Sequence, residues 1–303
     1  MADGRFPDFL ILGAAKGGTT ALFGALSRHP QVFCSALKEP RFFAYAGTPP
    51  AFPGREGRRA ARQIVSNEDA YKALFAACPP GAVAGEASAE YLSDESAPAV
   101  ASRYVPHARL VAILRHPVER AYSQYLHLRQ EGEEPLASFE DAWNAEDDRI
   151  ARGWRAVWHF RRRGFYGRQL TRWLDVFPRE QLLILFYEDW RRNPAPALAQ
   201  VCQHLGIAPV ADPEIRQENV SSRQPRWGWL HQRMVDDNAL RRWAQRRLPL
   251  SVRDAVTHAI TRVNLTPGPR LDPALRARLA VAYHEDLSVV EALTGRDLTA
   301  WRS

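Results

Sequence analysis

Short apolar runs alternate with amphipathic stretches along the first two thirds of the chain. In the stretches between the runs, apolar residues recur every three or four positions, which is the helical period. This alternation predicts an α/β fold: a P-loop-like parallel sheet flanked by helices on both faces. The predicted strands are Phe9–Leu12, Ala82–Ala84, Arg109–Leu114 and Leu182–Phe186. The predicted helices are Thr19–Ser27, Val118–Arg129, Tyr166–Asp175, Pro196–Leu205 and one closing helix over Leu275–Leu293.

The first apolar run leads into a loop of small residues that opens a helix. Backbone N–H groups and the positive end of the helix dipole face an anion in such a turn. The triphosphate-binding pattern is G-x-x-x-x-G-K-[ST], and Gly13 and Gly18 have its spacing. The lysine stands earlier in the loop, however, which favours a phosphorylated nucleotide other than ATP or GTP. The expected phosphate contacts are Lys16, Gly17, Gly18, Thr19 and Thr20.

A second candidate motif follows the strand Arg109–Leu114. Arg115 is expected at the strand's carboxyl tip, and Ser123 and His127 are four residues apart, on one face of the next helix. A fixed guanidinium beside a hydroxyl suits a terminal phosphate. The structural alternative is an ion pair between Arg115 and Glu119.

Two glutamates are candidates for chemistry. Glu39 precedes a proline, so its backbone is held extended, and a carboxylate there could reach over the phosphate loop as a general base. The alternative is an ordinary surface glutamate. Glu86 ends another predicted strand, where a nucleoside triphosphatase would carry a metal-binding carboxylate. A P-loop kinase or NTPase therefore stays open at this point.

Composition bears on the charge of the ligand, the compartment and the number of domains, but not on the reaction. The formal charge of +7 suits anionic ligands, although arginine-rich bias of a bacterial coding sequence explains it equally well. Three cysteines without a C-x-x-C pair favour reduced thiols and a cytoplasmic location. No signal or membrane-spanning run is visible, and no metal-ligand spacing appears. A chain of 303 residues is expected to form a single domain, with a nucleotide-binding core over about 9–206.

Together these segments resemble the sulfotransferases that use 3′-phosphoadenosine 5′-phosphosulfate (PAPS). Lys16-Gly-Gly-Thr-Thr20 resembles their 5′-phosphosulfate loop, and Arg115-His-Pro-Val-Glu-Arg-Ala-Tyr-Ser123 their 3′-phosphate motif. Lys38–Phe43, Glu86–Tyr91 and Gly164–Trp173 are most similar to the heparan sulfate N- and 3-O-sulfotransferase type and its bacterial relatives.

The resemblance implies a role for each matching position. The Lys16 ammonium would stabilise the departing phosphate, Glu39 would deprotonate the acceptor hydroxyl, and His127 would lie near the reacting centre. Arg115 and Ser123 would bind the 3′-phosphate. A basic loop around Ser221–Arg226, within a C-terminal segment of loop and helices over about 207–303, would cover the cofactor through Arg223 and Arg226. No metal would be required.

The resemblance also names partners. The expected acceptor is a carbohydrate or small-molecule natural product, and the product nucleotide is adenosine 3′,5′-bisphosphate (PAP). Ala87 stands where heparan sulfate enzymes often have lysine, which sets this chain apart from them. No nucleic-acid partner is expected. A kinase or NTPase and a non-catalytic polyanion binder are the alternatives to a sulfotransferase.

Overall fold

A five-stranded parallel sheet forms the centre of the molecule. The computed structural model describes residues 4–52, 57, 60–209, 223–225, 265–267 and 269–303. The strands of the sheet are β1 (Phe9–Gly13), β2 (Val32–Cys34), β3 (Val83–Ala87), β4 (Arg109–Leu114) and β5 (Leu182–Phe186). They lie in the order β2-β3-β1-β4-β5. Two further strands, β6 (Arg223–Pro225) and β7 (Leu265–Pro267), pair antiparallel.

Helices connect the strands and cover the sheet. The α-helices whose bounds the structure describes are α1 (Thr19–Leu26), α2 (Phe42–Tyr45), α3 (Glu68–Ala73), α4 (Ala97–Tyr104), α5 (Pro117–Gln130), α6 (Phe139–Asn144), α7 (Glu146–Ala151), α8 (Tyr166–Leu174), α9 (Tyr187–Arg192), α10 (Pro194–Leu205), α11 (Pro273–Ala280) and α12 (His284–Thr294). No helix among the described residues is long and apolar enough to cross a bilayer.

Alternate residues of the two central strands face two separate cores. Leu10 and Leu12 of β1 pack into a large cluster with residues of α2, α5 and α8. Phe9 and Ile11 pack on the opposite face against α1 and α10. The sheet is therefore buried on both faces, as a parallel sheet requires, and the predicted fold class is confirmed.

Most predicted elements are present, with two corrections. β2 was not predicted, because its three residues are too few to form a distinct apolar run. The single closing helix is wrong: a 3₁₀ turn at Val281–Tyr283 divides it into α11 and α12. Tyr283 is fully buried there, and its hydroxyl donates to the Arg161 carbonyl at 2.9 Å. The break lets the ring turn inward. Cys34, Cys78 and Cys202 form no disulfide bond.

Candidate active site

The loops after β1 and β4 meet at the carboxyl edge of the sheet. The Arg115 guanidinium donates a hydrogen bond of 3.2 Å to the main-chain carbonyl of Lys16. Arg115 also stacks 4.8 Å from the ring centre of Tyr187 and lies 3.6 Å from the Glu119 carboxylate. The ion pair named as the structural alternative is thus present, but it accompanies the contact with Lys16. The two predicted nucleotide motifs therefore lie side by side at this edge.

The Lys16 loop is closed by short contacts that leave no room for side chains. A Cβ at Gly17 would lie 2.6 Å from the Ile113 carbonyl oxygen. The Gly17 N–H donates to the Ala14 carbonyl at 2.9 Å, so the expectation that this amide faces a ligand is wrong. Helix α1 has no side-chain cap at Gly18, which leaves its first-turn amides, including those of Thr19 and Thr20, without partners inside the helix.

Positive charges crowd together around Lys16. Burial, and then the charge of Arg115, lowers the pKa of the Lys16 ammonium to about 8. Burial and the Lys16 charge lower the pKa of His127 to about 4, so this ring is neutral at pH 7. His127 Nε2 lies 3.5 Å from the Glu131 carboxylate, one turn further along α5. The charge of Lys16 thus acts on His127, and the place of His127 at the reacting centre stays a prediction.

Ser123 presents a buried hydroxyl on the same helix. The residue is only 5% exposed, and its Oγ has no hydrogen-bond partner among the described residues. Buried hydroxyls are normally paired, so an orphan of this kind calls for an explanation. An acceptor group of a ligand would supply the missing partner.

Glu39 lies on the other side of this edge, fixed by three contacts. Lys38 Nζ is 2.8 Å from Oε1, Arg41 Nε is 3.6 Å from Oε2, and the Ala89 N–H donates to Oε2 at 3.1 Å. The Glu39 N–H donates to the Ala87 carbonyl at the end of β3, the strand next to β1, so the Glu39 segment lies at the same sheet edge as the phosphate loop. Glu39 is thus a held carboxylate, not a free surface one.

Sequence reasoning missed the groups that hold Glu39. Arg41 bridges to Glu90 at 3.4 Å, and the Tyr45 hydroxyl donates to Glu90 at 3.1 Å. The buried Arg163 guanidinium donates to the Ala89 carbonyl at 3.2 Å. The alternation of charge in Lys38-Glu-Pro-Arg41 was the available signal.

Glu86 is not free to hold a metal. Its carboxylate is fully buried and accepts hydrogen bonds from the hydroxyls of Tyr71, Ser88 and Tyr91. The triphosphatase interpretation of this strand end is therefore weakened. Among the described residues there is no group of three or more His, Cys, Asp and Glu side chains that could hold a metal ion.

The predicted cofactor-covering loop is described only in part. Arg223 begins β6, which lies close to α5. Arg226 lies outside the described residues. The involvement of both arginines therefore stays a prediction.

Comparison with known proteins decides the family. The family model described as "Sulfotransferase family" matches residues 7–212. The chain belongs to the sulfotransferase family. A sulfotransferase from Alicyclobacillus acidocaldarius has a similar structure, with a TM-score of 0.76 and 29% identity, covering 99% of this chain and 100% of that one.

Curated relatives point to a particular branch of the family. Human bifunctional heparan sulfate N-deacetylase/N-sulfotransferase 2 is 32% identical over 68% of this chain and 22% of its own length. The corresponding Drosophila melanogaster enzyme is 30% identical over 68% of this chain and 20% of its own length. The chain thus spans about a fifth of these relatives. The predicted sulfotransferase class and its resemblance to the heparan sulfate type are confirmed.

Proposed function

We propose that this sulfotransferase moves a sulfuryl group from PAPS to a hydroxyl of a carbohydrate or small-molecule acceptor. The observation that carries the proposal is the hydrogen bond between the Arg115 guanidinium and the Lys16 carbonyl. It joins a 5′-phosphate-binding loop to a candidate 3′-phosphate site across one sheet edge. A ligand with a phosphate at each end would span both.

The residues present fit such a ligand. The Lys16 ammonium and the uncapped amides of α1 would hold the 5′ end, since both favour an anion. Arg115 and the orphan Ser123 hydroxyl would hold the 3′-phosphate through charge-assisted hydrogen bonds. The glycine at position 17 keeps the loop close to β4. PAPS, when bound, supplies the sulfuryl group and a phosphate leaving group.

Three side chains carry out the rest of the proposed chemistry. The Lys16 ammonium stabilises negative charge at the phosphate loop, and its fixed position avoids reorganisation during reaction. The Glu39 carboxylate accepts the proton of the acceptor hydroxyl, which makes that oxygen a better nucleophile. His127, neutral at pH 7, can donate or accept a hydrogen bond at the reacting centre without adding charge beside Lys16.

Calorimetry with two nucleotides tests the proposal. PAP carries both phosphates, whereas AMP lacks the one assigned to Arg115 and Ser123. We expect PAP to bind at least about a hundredfold more tightly than AMP, since two charge-assisted contacts of about 1.5 kcal/mol each are lost. Equal affinities would remove the proposed 3′-phosphate site. ATP binding tighter than PAP would favour the kinase alternative.

A labelled-cofactor screen addresses the acceptor. The relatives are named for heparan sulfate, so the panel should contain heparosan, its N-deacetylated form with free amines, and N-acetylglucosamine glycosides beside phenols and aliphatic alcohols. Transfer of the ³⁵S label to a hydroxyl acceptor is the expected result. Transfer to amines alone would contradict the proposed O-sulfation.

A further inference from the structure

Glu86 is a buried carboxylate that the mechanism above does not use. It lies on β3, one residue before the strand ends, and is fully shielded from solvent. The hydroxyls of Tyr71 and Tyr91 donate to its Oε1 at 3.1 and 2.6 Å, and Ser88 donates to Oε2 at 2.8 Å. Three neutral donors on a buried carboxylate form a specific arrangement, because each must aim its single proton at Glu86.

Two of these hydroxyls also accept hydrogen bonds from backbone N–H groups of the segment that carries Glu39. The Arg41 N–H donates to Ser88 Oγ at 3.0 Å, and the Phe43 N–H donates to the Tyr91 hydroxyl at 3.3 Å. The Glu39 N–H donates directly to the Ala87 carbonyl at 2.9 Å. The residues after β3 therefore clamp the backbone on both sides of Pro40.

The clamped backbone needs such support. Glu39 and Arg41 have φ angles of +63° and +57°, in the left-handed region that residues with a Cβ rarely adopt. The expectation that Glu39 has an extended backbone is therefore wrong, because the hydrogen bonds that hold this segment override the local preference of a residue before proline. Conformations of this kind persist only where the surrounding structure fixes them, and they cluster at functional sites. Without the clamp, the segment would relax and the Glu39 carboxylate would move.

We propose that Glu86 is a positioning residue for Glu39. An ionised carboxylate only accepts hydrogen bonds, so it turns the Ser88 and Tyr91 protons inward and leaves their lone pairs for the Arg41 and Phe43 amides. The inference rests on the proposed role of Glu39 as the base. It adds a residue that touches neither cofactor nor acceptor.

The protonation state of Glu86 matters to this arrangement. Burial raises the pKa of Glu86 to about 7, opposed by the hydroxyls of Tyr91, Ser88 and Tyr71, and the charge of Glu39 raises it further. These are the polar groups that face it from α3, from the turn after β3 and from the segment before α2. Protonation turns one carboxyl oxygen of Glu86 into a hydrogen-bond donor. A hydroxyl that donates to this oxygen must then rotate away, and its hydrogen bond to Glu86 is lost. We expect kcat to fall as the pH falls through about 7.

A matched pair of variants isolates the clamp. Tyr71→Phe and Tyr91→Phe each remove one buried hydroxyl that donates to Glu86 Oε1. Only the Tyr91 hydroxyl also accepts a hydrogen bond from a backbone N–H of the Glu39 segment. For Tyr91→Phe we expect a roughly tenfold lower kcat, from misplacement of the base, and faster hydrogen exchange at the Phe43 amide. Tyr71→Phe should stay within about twofold of the parent in both.

Further measurements separate positioning from general destabilisation. PAP affinity and melting temperature show that each variant is folded, and PAP affinity should not change. Ser88→Ala repeats the test at the Arg41 amide, should Tyr91→Phe fail to fold. Glu86→Gln should lower kcat at pH 8 by about tenfold and abolish the fall in kcat near pH 7. Turnover is followed as ³⁵S transfer from PAPS to the best acceptor of the panel.

The outcomes distinguish this inference from the proposed function. Equal effects of Tyr71→Phe and Tyr91→Phe on kcat and exchange would overturn it, as would an unchanged pH profile in Glu86→Gln. Full turnover in Glu39→Gln would instead remove the assignment of the base. The exchange difference at Phe43 would then still report whether the clamp exists.

Discussion

The two halves of the candidate site differ in how their charged and polar side chains are paired. The nucleotide half, comprising Lys16, Arg115, Ser123 and the first turn of α1, gathers like charges, and the hydroxyl of Ser123 has no partner among the described residues. In the base half, which comprises residues 38–43 and 85–91, positively and negatively charged side chains alternate. The buried carboxylate of Glu86 accepts hydrogen bonds from three hydroxyls there.

The difference indicates which half of the candidate site a bound ligand would stabilise. Crowded cations and open donors are unfavourable until an anion neutralises them, so the nucleotide half gains most from binding. The base half is complete before any ligand arrives, which is the condition for a preorganised proton acceptor. A bound anion would therefore stabilise the nucleotide half, whereas the base half is held by its own hydrogen bonds.

The largest expected effect is in the base half. Glu39→Gln should lower kcat by about 10²–10⁴ because the proton acceptor is lost, while PAP affinity stays unchanged. Steady-state kinetics and calorimetry measure the two quantities. Glu90→Gln is the control, because Glu90 also pairs with Arg41 but is not proposed to take a proton. If both variants lose activity equally, the base half acts only as a scaffold.

Lys16→Ala addresses the nucleotide half. Loss of one preorganised charge should lower turnover by about 10²–10³, and PAP should bind more weakly. Lys72→Ala serves as the control, since Lys72 pairs with Glu68 one turn away on α3 and is not proposed to contact the nucleotide. Full turnover in Lys16→Ala would mean that the amides of α1 suffice, and the contrast between the halves would fail.

The crowding of cations predicts a pH dependence of binding. Burial and Arg115 lower the pKa of Lys16 to about 8, and a bound anion raises it, so binding favours the charged ammonium. PAP affinity should therefore fall as the pH rises above about 8, by up to about tenfold per pH unit. Calorimetry between pH 7.5 and about 9.5 keeps the phosphates ionised throughout. Lys16→Arg stays charged and should flatten the profile; a parallel decline would point to another group.

The smallest effect sharpens the assignment of the two phosphates. Ser123→Ala should weaken PAP binding by about tenfold, the value of one hydrogen bond to a charged group, and leave AMP binding unchanged. Ser102→Ala, which removes an exposed hydroxyl on α4, is the control. Weakening of both nucleotides to the same extent would move Ser123 away from the 3′-phosphate.

Sequence reasoning succeeded where a long apolar run ends in a short motif. β4 and β5 have their predicted bounds, because six and five consecutive residues form each run. Arg115 and Lys16 were predicted beyond the carboxyl ends of two different strands, and they meet. Parallel-sheet geometry makes this inference possible, since all carboxyl ends lie on one edge.

It failed where tertiary packing overrides a local pattern. The apolar period continues through residues 275–293, yet burial of Tyr283 breaks the helix there. Glu86 was interpreted as a possible metal ligand, because the sequence does not show that Tyr71, far from it along the chain, supplies a hydroxyl.

Arg115 bonds to the main chain of Lys16, not to its side chain. Every amino acid offers the same carbonyl oxygen, so residue 16 can be exchanged while the arginine keeps its anchor. The two positions are therefore joined through the backbone and coupled through charge: a substitution at position 16 can change the electrostatics of this edge while the arginine stays where it is.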